Sequence, residues 1–108
     1  MVVGLCEIVV AIPGSASLQQ KRAAMRKVLE RTRNRFPVSI AEVDLQDKWQ
    51  RGKIGFAMVG NEHAQVQSTL DRVIQFIEGL FVVSIIDVRH EVETFSPDID
   101  DRAGFRFD

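Results

Sequence analysis

Between Lys21 and Arg35 the chain carries seven cations, Lys21, Arg22, Arg26, Lys27, Arg31, Arg33 and Arg35, against one acid, Glu30. At the helical turn of about 100° per residue, Arg22, Arg26 and Arg33 fall in one narrow stripe beside the apolar arc. Such a stripe can follow a phosphate backbone, neutralise it and release its counterions. Lys27 and Arg31 fall on the far side, where charge serves solubility. Lys21 falls inside the apolar arc: either its methylenes cover the core edge and its ammonium surfaces, or it reaches a carboxylate or a bound anion. Trp49, the only tryptophan, lies among Lys48, Gln50, Arg51 and Lys53. An aromatic plane among cations is what single-stranded nucleic acid or a protein groove uses; the alternative is a ring folded over the hairpin and the sheet edge. The candidate nucleic-acid contacts are therefore Lys21, Arg22, Arg26, Arg33, Arg35, Trp49 and Arg51.

The remaining reactive groups point to less. Glu42 and Asp44 alternate onto one side of a strand, with Asp47 close behind, so the three carboxylates can meet a divalent ion or a cation such as Arg51. No His or Cys stands at ligand spacing with them, and a structural ion pair is the expected use; no metal and no cofactor is expected. The turn Pro13-Gly14-Ser15-Ala16-Ser17 opens a helix whose free amides favour anions, though it lacks the pattern of a phosphate loop. Cys6 is the one cysteine, so no internal disulfide forms, which fits a reducing compartment.

These residues need a scaffold, and the apolar pattern supplies one. Val2 to Ile12 is rich in β-branched residues and stops at Pro13-Gly14. Ser17 with Gln20 forms a capping box, and the helix behind it places Leu18, Met25, Val28, Leu29, Thr32 and Phe36 in one arc before Pro37 ends it. Val38 to Leu45 and Lys53 to Val59 read as a hairpin around the polar loop 46–52. Asn61 is expected to cap a second helix with Val66, Leu70, Val73, Ile74 and Ile77 on one face and Gly79 terminating it. Leu80 to Val92 resumes the strand pattern. The order strand, helix, strand, strand, helix, strand predicts an α+β, ferredoxin-like βαββαβ fold: a four-stranded antiparallel sheet with both helices on one face. The first strand is apolar on both sides, which predicts a homodimer covering the open face.

A chain of 108 residues has room for one core. The expected organisation is one domain over 1–94 and an acidic, mobile tail over 95–108. No apolar run reaches the roughly 18 residues of a membrane span, and the apolar start contains Glu7 and lacks a basic leader, so a cytoplasmic protein is expected.

Four ordered blocks carry a family resemblance: Ser17-Leu18-x-x-Lys21-Arg22, Asn34-Arg35-Phe36-x-Val38-Ser39, Ala41-Glu42-Val43-Asp44, and Gln46-Asp47-x-Trp49-Gln50-Arg51. Together they resemble the DUF503, or YlxP-like, family over roughly residues 2 to 92. The resemblance implies the same ferredoxin-like fold. In many bacteria the family's gene lies among translation genes, near those for initiation factor two and ribosome-binding factor A, which implies a role near the ribosome. Gln19-Gln20 and the extension after Thr94 depart from the family pattern. The leading expectation is a non-catalytic binding protein for RNA or the ribosome. The alternative is a dimeric regulatory domain taking a small anionic or amino-acid ligand at Pro13-Gly14, which a metabolite screen by thermal shift separates from the first. The arginine of an acylphosphatase turn, the Cys-x-x-Cys of a copper chaperone and the aromatic strand signature of an RRM are all missing from this sequence.

Overall fold

The computed structural model describes residues 1–96. Its elements are β1 (Val2–Ala11), α1 (Leu18–Arg35), β2 (Ser39–Asp44), β3 (Arg51–Gly60), α2 (His63–Gly79) and β4 (Ser84–Thr94). The strands form one antiparallel sheet in the order β2-β3-β1-β4. This is the ferredoxin-like βαββαβ arrangement that the pattern predicts, and the central pairing of β1 with β3 follows from the two interlocked crossovers.

Both helices cover the same sheet face. Gly4 lies under Val66 and Leu70 of α2, and Gly52 lies under Met25 of α1; the register of β1 with β3 places those two glycines on one side. On that side Cys6, Ile8, Val10, Ile40, Ile54 and Phe56 meet Met25 and Val28 of α1 and Leu70, Val73 and Ile77 of α2 in one apolar cluster. Thr32, also buried, satisfies its hydroxyl by donating to the Val28 carbonyl at 2.8 Å.

The ends of the elements differ from the sequence reading in the hairpin, where β2 is Ser39–Asp44 and β3 begins at Arg51, two residues before the expected Lys53, and at both helices. Ser17 caps α1 as expected, accepting from the Gln20 amide at 3.1 Å, but Gln20 returns its side chain to the Ala16 amide at 2.7 Å, one residue before the cap. The N-cap of α2 is Glu62, not Asn61, and makes no side-chain capping bond. Gly79 is the last residue of α2, but the left-handed position that ends the turn belongs to Phe81, at φ 56°. In consequence Leu80–Val83 is a connection, and β4 begins at Ser84, opposite Ala11 where β1 ends. Residues 97–108, most of the expected tail, lie outside the described residues.

Candidate nucleic-acid interface

Lys21 has no exposed surface: its side chain passes inward and its ammonium meets the Glu42 carboxylate and donates to the Leu45 carbonyl at 2.8 Å. It is therefore withdrawn from the candidate contacts. The physical reason lies in its helical angle, which points it at β2, where an acid on the facing strand is within reach. A charge this deep persists only with such partners. The expectation that Glu42 and Asp44 share a side fails for a related reason. A register shift between Glu42 and Asp44 leaves Glu42 opposite Ile54 on the helix face and sets Asp44 opposite Lys53 on the open face. Asp44 accepts from the Leu45 amide at 2.7 Å instead. Glu42 is thus spent on Lys21, and the three carboxylates do not converge.

The Lys21 contacts anchor the β2–β3 loop to the start of α1. Leu45, whose carbonyl takes one Lys21 bond, sits at φ 63°, a region that branched residues enter at a cost. Beyond it, Gln50 donates its side-chain amide to the Ser15 carbonyl at 3.2 Å and accepts with its backbone carbonyl from the Ile12 amide at 2.9 Å. Trp49 is therefore carried on a loop tied at one end to the start of α1 and at the other to the β1–α1 turn. Trp49 is 54% exposed, so it does not fold over the sheet edge, and it lines a shallow depression with Leu45, Lys48, Gln50 and Arg51.

The arginines divide. Arg33 donates to the Ile40 carbonyl of β2 at 2.8 Å, which shows that its stripe borders the β2 edge. Arg22 and Arg26 share that stripe by spacing, lie exposed nearer the Trp49 loop, and have no salt-bridge partner among the described residues. Arg35 belongs elsewhere: its guanidinium stacks 5.7 Å from the Phe76 ring of α2 and 6.0 Å from Phe36, and Arg72 lies 5.7 Å from Phe36 on its own account. Arg35 therefore serves the contact between the helices, at the end of α1 remote from Trp49. Arg51 opens β3 beside the tryptophan, opposite Ala11, and is exposed.

The opposite sheet face has another electrostatic character. By register, β1 and β3 place Val3, Leu5, Glu7, Val9, Lys53, Ala57 and Val59 there, with Asp87, Arg89, Glu91 and Glu93 of β4 along the flank. Lys53 and Glu7 pair at 3.4 Å. Hydrogen bonding to Glu91, and the charge of that neighbour, raise the Glu93 carboxyl above the ordinary carboxylate range. This flank repels a polyanion. Cys6 faces the helices; burial first, then Glu7 and Asp71, push its thiol up to about 12, so it stays protonated and unreactive. In the Pro13–Ser17 turn the Ser15 amide donates to the Ile12 carbonyl and the Ala16 amide to the Gln20 side chain, and within α1 the Gln20 amide donates to the Ser17 hydroxyl. No helix among the described residues is long and apolar enough to cross a membrane.

Sequence reading missed Phe81, which is 91% exposed at a left-handed backbone position. The available signal was one of length: Leu80 to Val92 is longer than the first strand it must pair with, so its first residues had to lie off the sheet.

A family model described as "Protein of unknown function (DUF503)" matches residues 3–90. "Uncharacterized protein YlxP" of Bacillus subtilis (strain 168) is 39% identical over 77 residues, covering 71% of this chain and 84% of its own. Among solved structures, the "De novo designed protein Foldit4" aligns over 88% of this chain and 98% of its own at 14% identity and a TM-score of 0.47. A C-terminal segment of the alpha subunit of aIF2 from Pyrococcus abyssi aligns over 80% of this chain and 49% of its own at 10% identity and a TM-score of 0.45.

Proposed function

The chain belongs to the DUF503 family, and from that premise we propose that it is a non-catalytic RNA-binding protein of the cytoplasm, acting at or near the ribosome. One observation carries this reading. Arg22 and Arg26 stand exposed and without a salt-bridge partner among the described residues, on a helical stripe that borders the β2 edge. The loop that follows β2 brings Trp49 and Arg51 to the same end of the molecule as the first turn of α1. Cations spaced along a helix suit a phosphate backbone, because several are neutralised together and each releases counterions. A fully paired surface would gain little from such an exchange, and among the described residues these guanidinium groups have no ion pair to give up.

The test is fluorescence anisotropy with ribosomal RNA fragments across a salt series. Binding should weaken steadily as salt rises. Arg22→Ala and Arg26→Ala should each lower the slope of log affinity against log salt by about 1. Arg22→Glu with Arg26→Glu should abolish binding at moderate salt, and affinity indifferent to both reversals would refute the surface.

A further inference from the structure

Phe81 is the residue whose placement the fold least explains. A left-handed backbone strains a bulky residue, and glycine or asparagine normally takes this position after a helix. The chain places phenylalanine there at φ 56° and leaves 91% of it exposed, so core packing does not return the strain. Strain retained without a packing gain points to use.

Its surroundings show what use. Phe81 lines one shallow depression with Pro13 of the β1–α1 turn. The same turn receives Gln50, the neighbour of Trp49, at Ser15. The register fixes the layout independently: Ala11 has Arg51 on one side and Ser84 on the other, so β3 and β4 start in one row about 10 Å apart. Trp49 lies two residues before that row and Phe81 three residues before it. Two exposed aromatic rings therefore stand at one end of the sheet, on the loops flanking the β1–α1 turn. Lys48 and Arg51 flank the tryptophan; Asp47 is the acid of its loop, and Glu78 in the last turn of α2 lines the depression beside Phe81.

We infer that Trp49 and Phe81 are stacking platforms for unpaired bases, so that the RNA is held by a single-stranded segment at this end while the stripe of α1 holds its phosphates. The inference rests on the RNA-binding reading and specifies its substrate. Two isolated rings facing outward suit bases splayed from a strand, because every base presents a flat face; stacked bases within a duplex offer none.

The chain has one tryptophan and no tyrosine, so its intrinsic emission reports Trp49 alone. Titration with a single-stranded oligoribonucleotide should quench that emission, and the same strand annealed to its complement should bind less tightly with little quenching. Phe81→Asn relieves the backbone and removes the ring, so it should melt no lower than the parent protein while losing about tenfold in affinity for the single strand. Unchanged single-strand affinity in Phe81→Asn, or equal quenching by the duplex, overturns the stacking proposal and leaves the arginine stripe standing. Absence of binding to either form at low salt removes the RNA reading and this one with it.

Discussion

Lys21 and Glu42 show how one ion pair decides what a basic helix can offer. The lysine is wholly buried, whereas the Glu42 side chain keeps 15% of its surface. Removing either partner therefore leaves unequal debris. In Glu42→Leu a buried ammonium retains only the Leu45 carbonyl, a loss of about 3–5 kcal/mol. In Lys21→Met the remaining carboxylate can turn toward water, so the loss should be clearly smaller. The double variant, apolar at both positions, should recover most of the stability, since the two changes share one interaction and are not additive. Urea denaturation of the three variants measures the order. Equal losses that simply add in the double variant would show that the pair is not the buried, coupled unit described. Because the same lysine holds the Leu45 carbonyl, Trp49 emission in Lys21→Met also reports whether the loop loosens.

At the scale of elements, α2 is seated by two glycines. A Cβ on Gly4 would lie 2.7 Å from Val66 Cγ1, and one on Gly60 would lie 2.7 Å from Val66 Cγ2, so the first turn of α2 rests directly on the backbone of β1 and β3. Gly4→Ala should destabilise by about 1–3 kcal/mol through overpacking. Combined with Val66→Ala, which opens the space, it should cost less than the sum of the two single changes, as thermal unfolding would register. Simple additivity would mean that the helix is not held at this distance by those contacts. The same elements show what the sequence made legible. Apolar periodicity located both helices and all four strands, because burial on one face imposes a period that single residues cannot hide. Ser17 declared the start of α1 by local chemistry. Failures came where a distant partner decides. The bulge that separates Glu42 from Asp44 depends on strand pairing, the burial of Lys21 depends on Glu42 across the core, and the left-handed Phe81 followed a glycine that looked like the natural terminator. Of the candidate site, Arg22, Arg26 and Arg51 are exposed as their sequence context implied, Trp49 is exposed where its context left a folded-over ring equally open, and Lys21, Arg33 and Arg35 have partners that only the fold brings to them.

For the whole molecule, the division of charge leaves one large surface without an assigned role. The open sheet face exposes Leu5 at 43%, Val43 at 48%, Val59 at 64% and Ile86 at 47%. Lys53 lies toward one end, next to Val9 and in one row with Asp44 and Asp87, and Glu91 and Glu93 lie on β4 toward the other, opposite Leu5 and Val3. A two-fold axis through the middle of this face would bring the lysine of one copy toward the acids of the other, with strands crossing at the modest angle that stacked sheets adopt. The crowding of Glu91 and Glu93, which lifts the Glu93 carboxyl, is what an incoming cation would relieve. A second copy is thus the occupant we propose for this face, which also leaves α1 and the two aromatic loops free for RNA. Sedimentation equilibrium should find a dimer whose association weakens in Leu5→Glu, in Lys53→Glu and in Glu91→Lys. Combining the last two should restore part of it, because the swapped charges attract again across the axis. A protein that sediments as a monomer at all concentrations, or a double variant no better than either single one, would remove this face from the assembly and leave its apolar centre to some other partner.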